Sequence, residues 1–120
     1  VSTIATIGQV VTGHTWRANS EDELQAGLAA ALTAAGVDVE REHRLDARNR
    51  LDLWTVDGIA IEVKTSRRTT TADVLRQVRR YAEHDEVSAV VVLSTVPSHT
   101  LLPAMIGGKP CHAYHLRGAL

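Results

Sequence analysis

A chain of 120 residues with 44% hydrophobic content has the length of one domain and the make-up of an ordinary globular core, and its formal net charge of -1 does not by itself announce a nucleic acid. Only 3% of the residues are aromatic and none is Phe, so the core must be built from Val, Leu, Ile and Ala. No apolar run approaches the roughly 18 residues that span a bilayer, residues 1–11 lack a basic stretch followed by an apolar one, and the single Cys111 excludes an internal disulfide or a four-cysteine cluster, which together set the expectation of a cytoplasmic protein without a membrane partner.

Residues 1–19 open the chain with a β-branched stretch, Ile4 to Thr12, punctuated by Gly8 and Gly13. That composition points to a strand pair or an arm that packs on a partner. Ser20 to Glu23 then reads as a capping box, with Leu24, Leu28, Ala31, Leu32 and Ala35 following at helical spacing and Gly36 at the left-handed stop. Val37 to Leu45 reads as a strand. Leu51–Val56 and Ile59–Thr65 read as two more, joined at Asp57-Gly58, a strong hairpin signal. A second helix is expected from about Ala72 to His84. Val87–Thr95 carries the apolar run Ala-Val-Val-Val-Leu of a strand buried on both faces. A short helix over Leu101–Ile106 and a last strand over Cys111–Leu116 complete the order. A helix, three strands, a helix and a strand (α-β-β-β-α-β) define an α/β class with a central mixed sheet flanked by helices in a single domain, residues 1–120.

Charge is unevenly spread. Residues 41–80 hold ten of the thirteen Lys and Arg, against six acids, whereas residues 1–40 hold only Arg17. Within the basic stretch, Ile59-Ala60-Ile61-Glu62-Val63-Lys64 alternates, placing Ala60, Glu62 and Lys64 on one face. Two charges on an otherwise apolar strand are costly to bury unpaired, and a metal ion with a phosphate would compensate both. Turn geometry decides whether Asp52 joins them. A two-residue Asp57-Gly58 turn sets Asp52 opposite Val63, pointing away from Glu62. A three-residue Val56-Asp57-Gly58 loop with Gly58 left-handed pairs Thr55 with Ile59 and sets Asp52 opposite Glu62, about 5 Å away. The three-residue loop is the expectation.

Asp52 followed, across a hairpin, by Glu62-Val63-Lys64 resembles the motif of the PD-(D/E)XK nuclease superfamily, with Leu51 where the usual Pro stands. Gln77-Val78-Arg79-Arg80-Tyr81 resembles the QxxxY motif of RecB-type nucleases within it. The resemblance implies a restriction-endonuclease-like core and hydrolysis of DNA with Mg²⁺ or Mn²⁺, and no small-molecule cofactor. It implies Asp52 and Glu62 as metal ligands, joined by the carbonyl of Val63 and by a first-helix acid. Glu21 is preferred for that place, because Glu23 has a capping role and Glu21 lies on the inward line with Leu24 and Leu28. Lys64 would assist the attacking water, Gln77 would position the site, and Tyr81 would contact DNA. Arg67, Arg68, Arg76 and Arg80 are the phosphate-binding candidates. Small members of the superfamily include junction-resolving homodimers and bacterial or phage nucleases. A Holliday-junction resolvase and a RecB-like exonuclease therefore both stand as expectations, beside a non-cutting DNA-binding module or a subunit of a larger DNA-processing complex. Cys111, His112 and His115 do not make a soft-metal site, since the two histidines leave a strand on opposite faces. Ser66 and Ser94 show no base nearby in the sequence.

Overall fold

The alternating stretch 59–64 and the apolar run 89–93 become neighbouring strands in the middle of a six-stranded sheet, where segments apolar on both faces are covered on both. The structure is a computed structural model describing residues 2–119. In chain order it contains α1 (Thr3–Thr12), β1 (Trp16–Arg17), α2 (Glu21–Ala34), β2 (Val39–Arg44), β3 (Arg50–Thr55), β4 (Ile59–Lys64) and α3 (Thr71–Ala82). β5 (Ala89–Ser94), a 3-10 turn (Pro97–Thr100), β6 (Met105–Ile106), β7 (Lys109–His115) and β8 (Gly118–Ala119) follow. The sheet runs β2-β3-β4-β5-β7-β6. β2, β3 and β4 form an antiparallel meander, β4, β5 and β7 are parallel, and β6 turns back against β7. The α/β class with a mixed sheet and flanking helices is therefore as expected.

One face packs Leu53, Ile59, Ile61, Val63, Val91 and Leu93 against Ile7 and Val11 of α1 and Leu24, Leu28 and Leu32 of α2. The other packs Ala60, Val90 and Val92 against Val74, Val78, Tyr81 and Ala82 of α3. Among the described residues no helix is long and apolar enough to cross a membrane.

The N-terminal expectation is corrected: residues 3–12 are a helix, not a strand pair. Ile4, Ile7 and Val11 recur at helical spacing, Ser2 caps the first turn by accepting the Ala5 N–H, and burial of Ile7 and Val11 under α2 outweighs the β preference of the branched residues. Residues 101–106 also differ. The helical turn comes earlier, at Pro97–Thr100, and Met105–Ile106 is an edge strand instead. The second helix and the strands lie within a few residues of their expected bounds.

The β3–β4 turn has the three-residue form. Leu53 pairs with Ile61 and Trp54 with Ala60, so Thr55 falls opposite Ile59 and Asp52 opposite Glu62. The Gly58 N–H closes the loop on the Thr55 carbonyl at 3.0 Å, and Gly58 has φ +87°. A side chain there would place its Cβ 2.6 Å from the Glu86 carbonyl oxygen. Backbone strain and this contact with main chain add together. Gly58→Ala is expected to lower unfolding stability by at least about 2 kcal/mol, read from the midpoint of a urea titration.

Candidate active site

The hairpin that carries Asp52 and Glu62 does not remain a regular ladder. Beyond the Leu53–Ile61 pair, β3 and β4 separate, and the Val63 N–H is received by Asp52 Oδ2 at 2.8 Å. The pairing of β2 with β3 likewise skips one position. Arg41 pairs with Leu53 and His43 with Leu51, but Glu42 and Asp52 between them do not pair. Glu42 has φ +57°, the only non-glycine residue with positive φ among the described residues. The consequence is a change of face. Leu53 lies in the core under α1 and α2, whereas Leu51 lies in the core under α3. Two residues apart, they would share a face in a flat strand. Asp52 sits at this crossing and turns its carboxylate into the gap between β3 and β4. The N–H and C=O of a strand residue leave on the same side, so the Val63 carbonyl also faces the gap.

Glu62 is 4% exposed. Its Oε2 accepts from Lys64 Nζ at 3.0 Å and Gln77 Nε2 at 2.9 Å, and its Oε1 accepts from the Tyr81 hydroxyl at 3.3 Å. Gln77 Nε2 also donates to the Tyr81 oxygen at 2.7 Å, closing a ring of three side chains. Gln77 and Tyr81 are one turn apart on α3 and face the sheet together. The Asp52 carboxyl lies near enough for its charge to bear on Glu62. Burial, and then the charge of Asp52, push Glu62 up to about 7 despite the opposing Lys64 ammonium. Burial also raises Asp52, against the stabilising Val63 N–H and Lys64. Glu21, at the exposed start of α2, is raised by burial and by Asp52 and lowered by Lys64, which places it within the field of the same site.

The structure thus brings together Asp52, Glu62, Lys64 and Gln77, with Glu21 at the rim. Glu23 stays away from the site: its carboxylate accepts the Asn19 N–H at 3.0 Å while its own N–H meets Ser20 Oγ at 3.1 Å. Tyr81 is 2% exposed and lies beneath Glu62, so its placement gives it a supporting contact with the carboxylate and no surface for a nucleic acid. Arg67 and Arg68 are exposed in the turn after β4. Arg76 is paired with Asp73, and Arg80 Nε leans on Asn49 at 3.4 Å, tying α3 to the β2–β3 hairpin.

Two features escaped the sequence reading. Gln25, 8% exposed although polar, lies on the buried face of α2, where its Oε1 is 3.5 Å from Arg41 Nη2. Its signal was the line Glu21, Gln25, Leu28, Leu32, which is the true inward face, since Ala35 is an exposed cap residue. Ser94 does have a base beside it, contrary to expectation: Ser94 Oγ lies 2.7 Å from His99 Nδ1. His99 Nε2 is 2.6 Å from the Thr69 carbonyl, which can only accept, so Nε2 carries the proton and Nδ1 receives the serine hydroxyl. Both residues are 0% exposed and fully partnered, so this pair is no nucleophile.

No family model, no curated protein and no solved structure matches this chain. Among the described residues no group of three His, Cys, Asp or Glu side chains stands ready to hold an ion. What is present is a pair of neighbouring carboxyls, both disfavoured as anions by burial, with a main-chain carbonyl facing the β3–β4 gap. A divalent cation suits that set, because its charge offsets both the repulsion between the two acids and the cost of burying them.

Folded, metal-free protein holds the Glu62 proton more tightly than the unfolded chain, whose carboxyl titrates near 4.5. The folded state then binds more protons between about pH 4.5 and 7, so stability falls as pH rises through that window and levels off above it. The expected fall is on the order of 3 kcal/mol. Urea unfolding in EDTA across this range measures it, and Glu62→Gln should flatten the slope.

Proposed function

We propose that this chain is a metal-dependent deoxyribonuclease with a restriction-endonuclease-like core of the PD-(D/E)XK kind. The observation that carries the reading is Asp52, its carboxylate on the Val63 N–H at 2.8 Å, brought beside the buried Glu62 with the Lys64 ammonium 3.0 Å from Glu62. Asp52, Glu62 and the Val63 carbonyl would hold Mg²⁺ or Mn²⁺, with Glu21 at the open side. When bound, such an ion lowers the pKa of water and offsets charge on a phosphoryl oxygen. Lys64, whose side chain is 18% exposed, reaches the mouth of the gap, where its charge favours the developing phosphorane. Gln77 and Tyr81 keep Glu62 in one rotamer by occupying both of its oxygens. Arg67 and Arg68, in the turn just past Lys64, are placed to meet the backbone phosphates on either side of the cut.

The helix, meander, helix and strand order around these residues supports the superfamily reading. The reading extends to recognition of DNA shape, junctions or ends by a homodimer in a bacterial or phage cytoplasm. The Gln77–Tyr81 pair favours the RecB-like branch.

The test is a panel of linear duplex, single strand and four-way junction incubated with Mg²⁺, Mn²⁺ or EDTA. Cleavage is expected with either metal and not with EDTA. Asp52→Asn, Glu62→Gln and Lys64→Ala should each slow it by at least about a hundredfold with DNA affinity and fold retained. A wild-type chain that retains DNA but cuts none of the panel would instead be a binding module.

A further inference from the structure

We propose that the β2–β3 loop is a preformed jaw for the phosphates of duplex DNA, presenting Arg44, Arg48 and Arg50 at the same end of the sheet as Arg67 and Arg68; the proposal rests on the nuclease reading above. β3 runs antiparallel to β4, so its first residue, Arg50, lies at the end where β4 finishes in Lys64. Tyr81 fixes that neighbourhood, since its hydroxyl is 3.4 Å from the Arg50 carbonyl and 3.3 Å from Glu62 Oε1. The loop before Arg50 is tied into one unit. The Leu45 N–H donates to the Asn49 carbonyl at 2.9 Å, and Asp46 Oδ1 accepts the N–H groups of Arg48 at 2.7 Å and Asn49 at 2.8 Å. Two contacts dock that unit on α3 and the residues just past it. Arg80 Nε donates to Asn49 Oδ1 at 3.4 Å, and Asp46 Oδ2 lies 3.0 Å from His84 Nε2.

Charge separates within the loop. Residues 44–50 contain three arginines and one acid. The acid, Asp46, engages the loop amides and His84, whereas Arg44, Arg48 and Arg50 are exposed and none of them pairs with a carboxylate among the described residues. Arg44 and Arg50 also sit directly opposite each other at the end of the β2–β3 ladder. Like charges in opposed positions destabilise a strand pair. A phosphate bridging the two guanidinium groups turns that repulsion into two charge-assisted contacts. A duplex holds its phosphates at a fixed spacing, and a loop that is already ordered gives up little conformational freedom in meeting them. With Arg67 and Arg68 exposed in the turn after Lys64, basic side chains reach the active-site end of the sheet from two separate segments.

The experiment is fluorescence anisotropy of a labelled linear duplex with the intact chain in EDTA, over a series of salt concentrations. It compares the wild type, Arg48→Gln, Arg50→Gln, Arg17→Gln and Asp46→Ala, each with its melting temperature. Arg48→Gln and Arg50→Gln should each weaken binding and lower the slope of log affinity against log salt by about 1. Arg17, exposed on β1 outside the six-stranded sheet, is the control, and Arg17→Gln should leave the slope unchanged. Asp46→Ala removes a negative charge, which by charge alone tightens binding to DNA. A jaw that then has to be ordered on binding weakens it instead, by about threefold. Binding by Asp46→Ala as tight as the wild type or tighter overturns the preformed loop. An equal loss in Arg17→Gln marks charge without a site and overturns the jaw. Should Asp46→Ala not fold, the arginine variants decide alone. A duplex still bound with unchanged slopes in Arg48→Gln and Arg50→Gln overturns the jaw and leaves the nuclease reading standing. A wild type that does not bind the duplex overturns the jaw, and the cleavage panel then decides the nuclease reading separately.

Discussion

Two carboxylates brought into contact inside a protein repel each other strongly. Like charges about 4 Å apart at an effective dielectric of about 20 oppose one another by about 4 kcal/mol. Asp52 and Glu62 are in that situation, and the arrangement around them is organised to bear it. Lys64 and Gln77 bond one oxygen of Glu62, Tyr81 bonds the other, and a strand N–H bonds Asp52. Each of these contacts favours the anion, yet burial still drives both acids toward holding a proton. The surrounding donors thus fix the position of the carboxylates without neutralising them. This is the state expected of a pair whose missing partner is a cation.

The backbone makes the contact available. A regular β3–β4 ladder would send the Val63 N–H to a main-chain carbonyl and leave Asp52 on one face only. The crossing at Glu42 and Asp52 opens the ladder, turns Asp52 into the gap and moves Leu51 to the α3 side. A glutamate at φ +57° is an unfavourable backbone state. Burial of Leu51 and Leu53, both 0% exposed and in opposite cores, holds the crossing in place. The site can therefore draw on α2 from one face and α3 from the other, which a flat hairpin would not allow.

Much of this was legible in the residues, for physical reasons. The period-two pattern of 59–64 sets Glu62 and Lys64 on the α3 side, and Asp57-Gly58 with a left-handed glycine sets the register that opposes Asp52 to Glu62. Gln77 and Tyr81 were readable because a helix fixes which residues lie one turn apart. The crossing itself was not, because no glycine or proline marks Glu42 or Asp52 and the strain is carried by tertiary burial. Gln25 was missed for a related cause: the helical face was traced through Leu24 and Ala35, and small alanines mark both faces of α2 equally. The N-terminal helix was misread because Ile4, Thr6, Ile7, Val10 and Val11 carry local β preference, which packing under α2 overrides.

The buried Ser94–His99 pair shows how a constellation that looks catalytic can instead serve the site from a distance. Its hydrogen bonds run from β5 to the Thr69 carbonyl, one residue before Thr70, the cap of α3. The Thr71 hydroxyl donates to the Ser98 carbonyl at 3.0 Å, and the Thr95 N–H donates to the Lys64 carbonyl at 3.0 Å. These contacts fasten the start of α3 to the 3-10 turn and the end of β4 to Thr95, just before it. Gln77 lies two turns into α3 and Lys64 is the last residue of β4, so the distance between them is set where the two elements are joined. A fully buried histidine held between a serine hydroxyl and a main-chain carbonyl makes a rigid connector. The reach of Gln77 and Lys64 to a common oxygen of Glu62 therefore depends on a polar cluster that has no contact with the carboxylates themselves.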